Sequence, residues 1–259
     1  MSLVIKICGL KAPEALDAAL SVGADMVGFV FFAPSPRNIS FQTARALGQR
    51  VRGRAQKVAL FVDPSDRELA ASIEALEPEV LQLHGTEAPD RVAMIRERFG
   101  LPVMKALPIA QRSDLAAIKL YETVADRLIF DARAPREATR PGGLGQSFDW
   151  RLLENLNTRV PFMLSGGLDV ENVAQALRIT AAPGLDVSSG VERSPGEKDP
   201  EKIRAFIAAA RRIASELNVA SAANPKFARS GGKGGWCPSD SEVRIRGCRK
   251  GLRTSESGH

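Results

Sequence analysis

The chain has 259 residues, 44% of them hydrophobic and 25% charged, ordinary globular usage that excludes wholesale disorder and allows one large barrel or two smaller domains. No apolar stretch approaches about 18 residues, which excludes a membrane-spanning helix. The formal net charge is +6, yet eight basic and three acidic residues fall in 219–259, leaving 28 basic against 27 acidic side chains for the body and no electrostatic case there for a nucleic-acid partner.

Taken in chain order, the body repeats one unit: a short β-branched or apolar run, a few polar or glycine residues, then an amphipathic helical stretch. The first strand, 4–8, places Val4, Lys6 and Cys8 on one face and Ile5 and Ile7 on the other. With the isoleucines against helices, Lys6 and Cys8 point inward, where an ammonium beside the thiol would lower its pKa toward that of a usable base. The bland alternative is a small buried hydrophobe. Cys8 is the only cysteine of the body, so no disulfide closes within it, and a reducing, cytoplasmic compartment is expected.

A helix over 12–21 and a strand over 26–31 lead to PSPRNIS, where Arg37 is either a bidentate clamp for a carboxylate or a solvated surface arginine. Helix 41–51 and strand 57–62 follow; Asp63, before Pro64-Ser65, reads as a turn or cap carboxylate. After helix 65–76, strand 80–83 ends at His84, a ligand, a proton donor or a polar lining residue. Helix 88–99, strand 103–107 and helix 113–123 precede strand 127–131. That strand ends in Asp131, which partial burial would turn into a proton donor, or which simply caps a turn.

The stretch 132–147 carries Arg133, Arg136, Arg140, Gly142, Gly143 and Gly145 and reads as a mobile lid. It is no dinucleotide fingerprint, because Phe148 stands where the third glycine is needed. A helix over 148–156 and a strand over 162–164 lead to Gly166-Gly167, with Asp169 as the expected N-cap of helix 170–179. Strand 185–187 runs into Ser188, Ser189 and Gly190, and helix 200–217 closes the body. Either glycine turn alone reads as a tight turn into a helix. Together, after the seventh and eighth strands, they make a backbone cradle for a phosphate.

Eight alternations require a parallel sheet, and in about 218 residues they fit a closed (β/α)₈ TIM barrel, α/β in class and a single domain over 1–218. Its chemistry belongs at the carboxyl ends of the strands. Residues 219–259, glycine-, serine- and arginine-rich without periodicity, read as a disordered basic tail.

KICGL at 6–10, SPRNIS at 35–40, QLHG at 82–85, FDA at 130–132, FDW at 148–150, SGGL at 165–168, GLDVSSGVE at 184–192 and PGEKD at 195–199 together resemble phosphoribosylanthranilate isomerase. The match departs at Leu144, where the family has a small hydroxyl residue. The resemblance implies the Amadori rearrangement of tryptophan biosynthesis without metal or organic cofactor. It implies Cys8 as general base, Asp131 as general acid, Arg37 on the anthranilate carboxylate and His84 in the same pocket. The phosphate end would be formed by Gly166, Gly167, Ser188, Ser189 and Gly190, with Asp186 near them. The expected partner is a small phosphorylated substrate, with no membrane, and the chain a monomer or homodimer. The histidine-pathway aminoaldose isomerase, a neighbouring phosphate barrel, is served by a carboxylate at the first strand end, where this chain has Cys8. Nucleic-acid binding through the tail is the alternative from another class.

Overall fold

The computed structural model describes residues 3–135 and 137–223; Arg136 of the expected lid, and the expected disordered tail beyond Ala223, lie outside the described residues. Strands β1 (Val4–Cys8), β2 (Met26–Phe31), β3 (Gln56–Phe61), β4 (Val80–Leu83), β5 (Val103–Ile109), β6 (Arg127–Ala132), β7 (Phe162–Leu164) and β8 (Gly184–Val187) form a closed barrel in sequence order. All neighbours are parallel, and β1 pairs with both β2 and β8. Around them lie α1 (Pro13–Ser21), α2 (Phe41–Val51), α3 (Asp66–Leu76), α4 (Pro89–Phe99), α5 (Ile118–Tyr121), α6 (Val173–Thr180) and α7 (Pro200–Ala223).

Local chemistry sets several helix starts. Pro13 and Pro89 open α1 and α4, where a missing N–H leaves no bond unmade. Ser40 accepts from the Thr43 N–H, and Ser65 forms a reciprocal box with Glu68; such a cap contributes about 1 kcal/mol. Outward-facing Ile5, Ile7, Val27, Phe29 and Phe61 pack under the helices in the main core. Inward-facing Met26, Val58, Val80, Met104, Ile129 and Met163 fill the bore. Cys8, Val30 and Leu60 make a smaller apolar group nearer the carboxyl ends.

Four expectations change. The helix expected over 148–156 is a single 3₁₀ turn, Trp150–Leu153, because Glu154 is already extended at ψ 129° and the left-handed Asn155 after it carries the chain away. The helix expected over 113–123 is a 3₁₀ segment, Arg112–Ala117, followed by the one-turn α5. Asp169 accepts from the Glu171 and Asn172 N–H groups and so builds a turn that delays α6 to Val173. A hairpin of β9 (Glu192–Ser194) and β10 (Glu197–Lys198) was not anticipated. Beyond it, α7 continues past the 217 expected as its end, and Arg211 ties it to the Leu3 and Gly23 carbonyls and to Asp25.

One buried ion pair fixes the loop after β4. Met104 and Ala106 face the bore, so alternation sends Lys105 outward. There its ammonium meets Glu87 Oε2 at 2.7 Å and the Gly85 carbonyl at 2.7 Å. Glu87 Oε1 in turn accepts from the Asp63 N–H at 2.9 Å and the Gly85 N–H at 3.1 Å. Lys105→Met leaves that carboxylate buried without its cation and is expected to lower unfolding free energy by about 3–5 kcal/mol. Urea denaturation measures this; a loss under about 1 kcal/mol would show that the pair behaves like an exposed one.

Candidate active site

At the end of β1, alternation places Lys6 and Cys8 in the bore, as the sequence indicates. Lys6 is wholly buried, and its Nζ lies 2.8 Å from Asp186 Oδ1 on β8. Burial works against the Lys6 charge, but the Asp186 carboxylate outweighs it and holds the ammonium above the ordinary lysine range. The same ammonium stands beside the Cys8 thiol, since a Cβ added to Gly28 would lie 3.1 Å from both Lys6 Nζ and Cys8 Sγ. Burial pushes that thiol up; Lys6 pulls it down without cancelling the rise, and Asp186 adds to it. The expectation of a lowered Cys8 pKa is therefore corrected: burial outweighs the Lys6 charge, and Asp186 beside Lys6 adds to the rise.

Across the cavity, β4 and β6 bring His84 and Asp131 together. His84 Nε2 lies 3.1 Å from Asp131 Oδ2, and Gln82 Nε2 lies 3.2 Å from His84 Nδ1. A neutral His84 that accepts from Gln82 at Nδ1 carries its proton on Nε2 and donates it to Asp131. The other oxygen, Asp131 Oδ1, accepts from the Ala132 N–H at 2.9 Å. Asp63 stands apart from this pair: its Oδ1 accepts from the Thr86 N–H at 2.7 Å, a turn role.

Arg37 is buried rather than solvated. Its Nε and Nη2 grip Glu192 at 2.7 and 2.8 Å, and Nη2 also donates to the Gly143 carbonyl at 3.0 Å. The fork expected to clamp a ligand carboxylate is thus closed on a protein carboxylate, and Nη1 is the nitrogen left for a ligand. Glu192 also accepts from Lys198 Nζ at 2.6 Å, and Lys198 donates to Ser188 O and Oγ at 2.9 and 3.1 Å. Burial raises the Glu192 carboxyl, but bonds from Arg37 and Lys198 outweigh this and hold it below the usual range. Burial brings Lys198 down to about 8 against the pull of Glu192.

Ser188 Oγ donates to the Cys8 carbonyl at 3.1 Å, which joins this network to the end of β1. Gly166 and Gly167 take φ of 86° and 65°, and their N–H groups have no backbone acceptor among the described residues. Cys8, Arg37, His84, Asp131, Asp186 and the turns at Gly166-Gly167 and Ser188-Ser189 line one cavity. Gly190 lies behind it, where an added Cβ would meet the Leu168 carbonyl. Asp186 faces Lys6 in the bore and lines the same cavity as the glycine and serine turns. The lid reaches the reacting groups: a Cβ on Gly142 would lie 2.5 Å from Asp131 Oδ2 and 2.7 Å from His84 Nε2. Sequence reasoning missed Glu192 and Lys198 as cavity supports, although both sit in the matched motifs.

Residues 5–209 match the family model described as N-(5'phosphoribosyl)anthranilate (PRA) isomerase. A protein named N-(5'-phosphoribosyl)anthranilate isomerase from Bradyrhizobium diazoefficiens is 60% identical over 211 residues, 82% of this chain and 95% of that protein. The phosphoribosyl anthranilate isomerase structure from Thermotoga maritima aligns with a TM-score of 0.73 at 33% identity, over 81% of this chain and 99% of the other. Another structure of that enzyme, in complex with reduced 1-(o-carboxyphenylamino)-1-deoxyribulose 5-phosphate, has a TM-score of 0.71 at 31% identity, over 81% and 99%.

Lys198 gives a pH signature. Its folded value of about 8 lies below the ordinary lysine value of 10.5. Between those limits the unfolded chain holds a proton that the folded chain has shed, so this lysine's contribution to stability rises with pH. The urea midpoint of the native protein, relative to Lys198→Met, should therefore climb from pH 7.5 to pH 10. A constant difference would refute the assignment.

Proposed function

The chain belongs to the N-(5'-phosphoribosyl)anthranilate isomerase family, and from that membership we propose how its own residues carry the reaction. The enzyme converts N-(5'-phosphoribosyl)anthranilate to 1-(2-carboxyphenylamino)-1-deoxyribulose 5-phosphate in tryptophan biosynthesis. One observation supports the reading most: Cys8 and Asp131 line the same cavity as the two glycine turns. A relative's complex with a reduced form of that product fits a ligand of this shape.

The substrate phosphate is held by the N–H groups of Gly166 and Gly167 and by the Ser188-Ser189-Gly190 turn, where backbone dipoles favour an anion. Arg37 meets the anthranilate carboxylate through Nη1, with Glu192 fixing the guanidinium plane. Asp131 protonates the ring oxygen, the C1–O bond breaks, and C1 becomes an iminium carbon. His84 steadies the carboxylate that this leaves. Cys8, as thiolate, takes the C2 proton. The freed electron pair forms the C1–C2 double bond and neutralises the nitrogen, giving an enolamine that tautomerises to the ketone. General acid–base steps of this type contribute about 10²–10⁴-fold each.

Purified protein supplied with freshly made phosphoribosylanthranilate should extinguish its fluorescence. Cys8→Ala and Asp131→Asn should each lower kcat by about 10²–10⁴-fold with the fold intact by circular dichroism; near-normal turnover in either removes its role. Arg37→Ala should chiefly raise KM, and an unchanged KM would discount the carboxylate contact.

A further inference from the structure

The bore holds a charge arrangement that a simple base does not require. Lys6 and Asp186 form a fully buried ion pair at 2.8 Å, directly beside Cys8. Gly28 on β2 makes room for it: a Cβ there would stand 3.1 Å from Cys8 Sγ, from Lys6 Cε and from Lys6 Nζ alike. With Cys8 as a thiol, the three groups are neutral in sum. With Cys8 as a thiolate, they carry one uncompensated negative charge away from water, which is costly.

The other groups facing Cys8 do not remove that cost once substrate is bound. Val30 and Gly28 of β2 are uncharged. Lys198, Glu192 and Arg37 carry one net positive charge, which offsets part of that cost in the empty enzyme without cancelling it and which the substrate's carboxylate answers on Arg37 once bound. The substrate phosphate adds only negative charge, and Asp131 with His84 lies on the opposite wall. The single cation that arrives during the reaction is the iminium, formed at C1, one bond from the carbon that Cys8 must deprotonate.

We propose that Asp186 is a positioning residue whose charge, acting through Lys6, keeps Cys8 as a thiol in the resting enzyme, so that ring opening itself unmasks the base. This rests on the reading of Cys8 as general base. Protons then balance within the cavity. Asp131 gives its proton to the ring oxygen and becomes a carboxylate. The Cys8 thiol proton passes to that carboxylate by way of the substrate hydroxyls that lie between the two walls, while the iminium charge stabilises the thiolate. The thiolate takes the C2 proton, and both residues end as they began, with no proton drawn from solvent.

The test is the pH dependence of Cys8 alkylation by iodoacetamide in the full-length protein, followed on the Cys8 peptide by mass spectrometry, for the native chain and Asp186→Asn. Native Cys8 should titrate above the ordinary thiol value of about 8.5. Asp186→Asn should titrate at least about one unit lower, a tenfold gain in thiolate fraction at pH 7. A native midpoint at or below about 8.5 overturns the proposal without any variant, as does an unmoved midpoint in Asp186→Asn. A normal kcat in Cys8→Ala would instead overturn the assignment of the base, and the alkylation shift would stand apart from it.

Discussion

A lysine with no access to water stands in the bore of this barrel, and its charge is tolerable only because a carboxylate meets it at 2.8 Å. That requirement ties the first strand to the last, since Lys6 is on β1 and Asp186 on β8, which are also hydrogen-bonded neighbours. Barrel closure and the electrostatics of the reacting thiol are therefore one constraint. A register slip of one residue on either strand would turn Lys6 or Asp186 outward into the helix layer. The loss would be felt at once as a buried unpaired charge and as a misplaced Cys8.

A second group of charges does for the loops what this pair does for the strands. Arg37 comes from the loop after β2, Glu192 and Lys198 from the hairpin after β8, and Ser188 links them to the Cys8 carbonyl. Backbone bonds hold parts of these segments, as where the Ile39 N–H donates to the Val30 carbonyl of β2, but side-chain bonds join the two loops to each other and to the end of β1. One carboxylate shared by two buried cations leaves a net positive charge beside the cavity. That charge favours an anionic group in the cavity.

What was legible in the sequence follows from range. The eight strands and the inward direction of Lys6 and Cys8 depend on period-two alternation and on glycine turns, both local. The helix ends after β6 failed because Asn155 and the Asp169 turn override apolar spacing with a few hydrogen bonds and a left-handed residue. Arg37 was read as exposed or ligand-bound because its partner is 155 residues away in the chain. Glu192 and Lys198 escaped for the same reason: in the sequence they are two charges in a polar stretch, and only the hairpin buries them. The thiol was misjudged because its neighbour Lys6 is visible in the sequence, while the Asp186 that neutralises it lies 180 positions from Lys6.

The lid gives these charge balances their consequence. Gly142 lies so close to Asp131 and His84 that a side chain there would collide with both, so the closed segment leaves little room for solvent around the acid. Where a bound substrate displaces water from the cavity, electrostatic differences grow, and a proton given to substrate is less readily replaced from outside. A base resting as a thiolate would finish each turnover with one proton too many on sulfur and one too few on the carboxyl, and the lid would have to open before resetting. On the proposed mechanism a base resting as a thiol would lend its proton to the spent acid and recover one from carbon, so both groups would be reset before product leaves. The buried ion pair beneath the sulfur and the glycine lid above the carboxylate are thus consistent parts of one arrangement.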